Sequence, residues 1–170
     1  MPNEPTLDIK GTSDDPDRRK LSNFAAYPFV LDGVPCASME GLLQSLKTRN
    51  VTLQERICRL SGLDAKNFFA RKLQNPMWKL TGTLYWKGKP MRRTSDEYQY
   101  FLDRAYDALL ANPDFASALI STEGMRLTHE KGKHDTRETV LTEYEFLSRL
   151  EKCREKALHS IKQKGRSSKC

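Results

Sequence analysis

Glu40, Gln44 and Lys47 fall at i, i+4 and i+7, the spacing that aligns side chains along one flank of a helix. Met39, Leu42, Leu43 and Leu46 fall at i, i+3, i+4 and i+7, a buried stripe about 100° round the same helix. A carboxylate, an amide and an amine thus follow the edge of an apolar face. A carboxylate drawn partly out of water can hold or release a proton during bond cleavage. A desolvated lysine can attack an opened sugar aldehyde and form a Schiff base. Lys47 stands about 10 Å beyond Glu40 by helical rise, so the two meet one ligand only if the lysine reaches back. Without further signal, the same triplet is equally a solvated flank held by a weak Glu–Lys contact.

The elements around the triplet follow from local chemistry. Phe29-Val30-Leu31 and Val34-Pro35-Cys36 flank Asp32-Gly33, the turn dipeptide of a two-residue hairpin. Ser38 is placed to cap the helix that follows. Glu40 then sits two residues in, one short of the reciprocal position of a capping box. Upstream, Leu7-Asp8-Ile9-Lys10 alternates like a strand, and 12–20 reads as loop. Downstream, Thr52 to Glu55 has the form of a capping box, and Asp64 is placed to cap a helix with Phe68 and Phe69 that ends before Asn75-Pro76. Thr83 to Trp86 and Pro90 to Arg92 frame a second hairpin around Lys87-Gly88. Thr94 to Glu97 is a further capping box, and Asn112-Pro113 ends one helix and caps the next. A polar loop from Glu123 to Asp135 precedes a final helix opened by Thr142 and Glu145.

Helices in the majority with short strands and hairpins make the fold class α+β, mainly helical, in a single domain. Residues 1–19 form an N-terminal strand and loop segment, 20–151 the domain and 152–170 a basic C-terminal tail read as a frayed, solubilising end. The 170 residues suffice for one sizeable core. The net charge of +7 favours anionic partners, nucleotides and nucleic acid among them. No apolar run approaches a membrane span of about 20 residues, and the N-terminus lacks a signal-peptide pattern. The expected location is therefore cytoplasmic, with no membrane partner. Cys36, Cys58, Cys153 and Cys170 are scattered and only three histidines accompany them, so no metal or cofactor is implied and the thiols read as reduced and structural.

Several separated motifs resemble the NADAR (YbiA-like) family. They are Leu21-Ser22-Asn23-Phe24, the hairpin with Ser38, Glu40, Gly41, Gln44 and Lys47, then Arg93 through Gln99, and then Leu127-Thr128-His129 with Gly132, Lys133, Asp135 and Glu138 to Phe146. They span about residues 20 to 150. The resemblance implies a YbiA-like α+β fold and hydrolysis of a ribosyl N-glycosidic bond. Implied substrates are ADP-ribosylated guanine in nucleic acid or phosphoribosylamino intermediates of the riboflavin pathway, with a toxin–antitoxin context in some members. A non-catalytic module that binds ADP-ribose or nucleic acid is the alternative class. Carried onto this sequence, the resemblance makes Glu40, Lys47 and Asp135 catalytic. Substrate contacts fall to Asn23, Phe24, Gln44, Trp86, Arg93, His129 and Glu138, with Arg93 at a helix start suited to phosphate. Residue chemistry alone leaves Asn23 a turn former, Trp86 a core residue, His129 structural, and Asp135 with Glu138 a capping pair.

Overall fold

The computed structural model describes residues 4–72 and 77–167. In chain order the elements are β1 (Thr6–Asp8), α1 (Pro16–Arg19), β2 (Phe29–Leu31), β3 (Val34–Cys36), α2 (Met39–Ser45), α3 (Val51–Cys58), α4 (Gly62–Lys66), α5 (Phe68–Arg71), α6 (Trp78–Thr81), β4 (Thr83–Trp86), β5 (Lys89–Arg92), α7 (Asp96–Leu110), α8 (Pro113–Ile120), β6 (Arg126–Thr128) and α9 (Glu143–Ser167). The fold is α+β and mainly helical.

Among the described residues the strands pair two at a time. β2 and β3 are antiparallel, with Leu31 opposite Val34, and Asp32 and Gly33 both take positive φ in the turn. That is the backbone a two-residue hairpin requires. β4 and β5 repeat the device through Lys87 and Gly88. β1 and β6 pair in parallel, Leu7 opposite Leu127, and so join the N-terminal segment to the chain that follows α8.

The core gathers around α2 and α7. Leu42 of α2 and Leu46, its C-cap, are wholly buried, as are Tyr98, Leu102 and Ala105 of α7. Each full burial of a leucine is worth about 1.5–3 kcal/mol, so this stripe fixes which way α2 faces. A second cluster holds Ile57, Phe68 and Phe69. Gly41 permits the closest approach. A Cβ there would lie 2.4 Å from the Leu60 carbonyl oxygen, so only glycine lets α2 rest on the turn after α3.

Several local expectations shift. The cap of α3 is Asn50, whose side chain accepts from Leu53 N, rather than Thr52. Ser95, not Thr94, caps α7. α4 starts before Asp64, at Gly62. The caps of α3 and α4 thus lie two and three residues upstream of the expected ones and that of α7 one residue downstream; all three are extended, and Asn50 and Ser95 accept a first-turn N–H on their side-chain oxygens. The 12–20 loop contains α1, capped by Asp15 with Pro16 at its first position. Within the loop expected from Glu123 to Asp135, 126–128 form β6 through pairing with the distant β1. The basic segment from 152 continues α9 as helix through Ser167. Asn75-Pro76 lies outside the described residues. The described thiols Cys36, Cys58 and Cys153 are free and buried. No helix among the described residues is long and apolar enough to cross a membrane.

Candidate active site

Ser38 caps α2 by accepting from Gly41 N and anchors it by donating to Leu60 O. With the leucine stripe buried, the flank carrying Glu40, Gln44 and Lys47 turns into an open cavity of about 400 Å³. The three side chains form a hydrogen-bonded chain. Lys47 Nζ donates to Gln44 Oε1 at 2.6 Å, and Gln44 Nε2 donates to Glu40 Oε1 at 2.9 Å. The amide therefore spans the helical gap that separates carboxylate from amine.

Burial pushes the Glu40 carboxyl above its ordinary value, against the Gln44 hydrogen bond and the charges of Lys66 and Lys47. Burial brings the Lys47 amine down to about 8, opposed by Glu40 and reinforced by Lys79, Lys66 and Lys133. Desolvation disfavours the charged form of each, so acid and amine move toward one another. Trp78 supplies part of the apolar wall. Lys47 Nζ lies 6.0 Å and Lys79 Nζ 5.9 Å from its ring centroid.

Asn23 and Phe24 enter from the loop before β2. The Asn23 backbone carbonyl accepts from Glu40 N at 2.9 Å, tying this loop to the start of α2. Its side-chain oxygen accepts from the buried Tyr106 hydroxyl at 2.9 Å, which leaves its amide nitrogen for the cavity. His129 follows β6 and donates from Nδ1 to Ile9 O across the parallel pair, at 2.8 Å. That bond leaves Nε2 as the ring's free acceptor when the ring is neutral. Its ring also meets Phe146 edge-on. Glu138 lines the same cavity, as do Lys10, Lys66, Lys79, Lys131 and Lys133. Together with Lys47 they make six lysines against two glutamates, a strongly cationic enclosure suited to phosphate.

Asn23, Phe24, Glu40, Gln44, Lys47, His129 and Glu138 thus share one cavity. Trp86, Arg93 and Asp135 are not among its lining residues. Trp86 is buried between the hairpins, donating Nε1–H to Asp32 and packing on Phe101. Arg93 is not open to phosphate. Its guanidinium forms two parallel hydrogen bonds to Glu145, at 2.9 and 2.7 Å, and a third to Thr139 O. It holds the 139–142 segment, which does line the cavity. Asp135 is paired with Arg137, which keeps its carboxyl down at about 2. Sequence spacing missed Trp78, Lys66 and Lys79, which reach the cavity from α4 and α6. No local motif marks them, and only the tertiary fold assembles them.

The profile of the family described as bacteriophage protein GP30.3 matches residues 17–155, a span that holds every residue of this cavity except three N-terminal ones. The chain belongs to the GP30.3 family. One relative is the "Uncharacterized 17.1 kDa protein in Gp30-rIII intergenic region" of Enterobacteria phage T4. It is 39% identical over 135 residues, which cover 76% of this GP30.3-family chain and 85% of the relative. Among solved structures, an NMR structure of the E. coli protein YbiA is similar with a TM-score of 0.57 and 20% identity, over 93% of this chain and 88% of YbiA. The likeness at that identity extends the YbiA-like fold to a GP30.3-family chain.

Proposed function

We propose that this GP30.3-family protein is an N-glycosidase that removes ADP-ribose from ADP-ribosylated guanine in nucleic acid or nucleosides. One observation carries the reading: the Glu40–Gln44–Lys47 chain stands in the wall of a cavity ringed by six lysines. The chain supplies a proton donor and an amine, and the lysines supply a phosphate environment. Six lysines exceed what one phosphomonoester engages, which favours a pyrophosphate-bearing sugar over a phosphoribosylamino compound.

The steps follow from the two shifted groups. Lys47 Nζ, as the neutral amine, adds to the anomeric carbon. The bond from that carbon to the base nitrogen breaks, and the nitrogen takes the proton of the Glu40 carboxyl. Nζ then gives a proton to the Glu40 carboxylate. Ring opening leaves a protonated Schiff base as the ring oxygen takes that proton back from the Glu40 carboxyl. Water adds to the imine carbon, releasing the sugar as its aldehyde and Lys47 as the amine. Gln44 holds the two groups in register, and Asn23 and His129 present polar atoms to the sugar.

The test is release of free ADP-ribose from ADP-ribosylated guanosine, followed by liquid chromatography and mass spectrometry. Wild-type protein releases it. Glu40→Gln loses on the order of 100-fold or more, the usual range for a positioned general acid. Binding without release would make the protein a recognition module. Preference for phosphoribosylamino compounds would move the substrate to that class.

A further inference from the structure

A second cavity, of about 570 Å³, adjoins the first and shares Gly11, Thr12 and Phe24 with it. We propose that this second cavity is the subsite for the aromatic base released when the glycosidic bond breaks. The inference rests on the glycosidase reading and adds to it the place and chemistry of the leaving group.

Phe24 is the partition. Gly11 packs so tightly on it that a Cβ there would lie 2.9 Å from the ring. The Lys66 ammonium, which lines the first cavity, stands 5.3 Å from the Phe24 centroid. The Glu40 backbone is tied to this wall, its N–H bonded to the carbonyl of Asn23, the residue before Phe24, and Glu40 and Phe24 line the first cavity together. A bond cleaved at Glu40 can thus have its phosphorylated sugar among the lysines and its leaving group across Phe24.

The two cavities differ in chemistry. The second presents Phe24, Ala25, Leu63 and Pro16. Its two cations are engaged elsewhere: Arg19 donates to the carbonyls of Ser13 and Asp14, and Lys20 pairs with Asp17 at 3.0 Å. Two cations, of which Lys20 is ion-paired, make this cavity far less cationic than the six-lysine one, and a flat heterocycle can stack on an aromatic face and cover apolar rim. Leu63 is 50% exposed, an uncovered apolar side chain at that rim. Stacking on aromatic faces is how proteins commonly hold bases freed from their partners.

Methyl-resolved NMR on the full-length protein tests this, with Ala25→Ser and Leu63→Ala used only to assign resonances. Guanosine is predicted to shift the Ala25 and Leu63 methyls and leave those of Leu43, Val140 and Leu141, in the first cavity, in place. Ribose 5-phosphate is predicted to do the reverse. Leu63→Arg, a surface change, should weaken guanosine about tenfold or more and ribose 5-phosphate less than twofold. The base subsite is overturned if guanosine shifts the first-cavity methyls or neither set, if ribose 5-phosphate shifts Ala25 and Leu63, or if Leu63→Arg leaves guanosine binding unchanged. If guanosine behaves as predicted and ribose 5-phosphate shifts neither set, the glycosidase reading is what fails.

Discussion

The proton affinities of Glu40 and Lys47 shift for the same reason, removal from water, acting in opposite directions on an acid and a base. Lys79 adds to the effect on Lys47, since a like charge across the Trp78 ring disfavours a second ammonium. Removing that charge eases protonation, so Lys79→Ala should raise the Lys47 value. The proposed reaction needs protonated Glu40 and neutral Lys47. Its pH profile is then a bell whose alkaline limb lies near 8, where Lys47 has become neutral and further rise only depletes the Glu40 acid. In Lys79→Ala that limb should move to higher pH, read from kcat/KM against pH. An unmoved or lowered limb would separate Lys79 from Lys47. Spacing in the sequence identifies the triplet because α2 and the turn that follows it carry all three residues. It cannot identify Trp78 or Lys79, whose relation to Lys47 is made by folding.

The elements act as a frame that aims α2 and closes the cavity from the other side. Gly41 sets how near α2 lies to the turn after α3. In Gly41→Ala the new Cβ would meet backbone, 2.4 Å from Leu60 O, which cannot move aside as a side chain could. Overpacking of this kind costs about 1–3 kcal/mol, and the denaturant midpoint should fall accordingly. Glu145 ties α9 to Arg93, just after β5, and to Gln99 of α7. It completes a capping box with Thr142, at 2.7 and 3.2 Å, and also pairs with Arg93. Both partners of that pair are under a tenth exposed. Breaking a buried pair from one side costs about 3–5 kcal/mol, so Glu145→Ala should be strongly destabilised in chemical unfolding. Burial pushes the Glu145 carboxyl up, but Arg93, the Thr142 N–H and Gln99 outweigh it and hold the value below the ordinary one. Its contribution is therefore present at neutral pH and lost as pH falls through that depressed value. The Thr142 box is legible in the sequence. The recruitment of Arg93 to it is not, because a lone arginine at a helix start reads equally as a phosphate ligand.

At the scale of the whole molecule, the parallel pairing of β1 with β6 brings Lys10 and His129 together at one rim of the cavity, with Ile9 O and His129 Nδ1 in direct contact. Neither strand is strong by itself, being three residues each, and their pairing joins segments from Thr6–Asp8 to Arg126–Thr128, far apart in the chain. Hairpins and capped helices are local and can be read from adjacent residues. A parallel pair has no local turn to announce it. The cationic enclosure is likewise a product of the whole fold, since its lysines come from segments between Lys10 and Lys133. That enclosure and the α2 triplet meet in one claim: Lys47 attacks the sugar while Glu40 serves the leaving base. The most direct measurement is borohydride reduction during turnover of ADP-ribosylated guanosine, with peptide mapping by mass spectrometry. A reduced ribosyl adduct on Lys47, absent in Lys47→Ala along with product release, is the predicted result. Release of ADP-ribose at the wild-type rate by Lys47→Ala, with no adduct on the wild-type lysine, would contradict it.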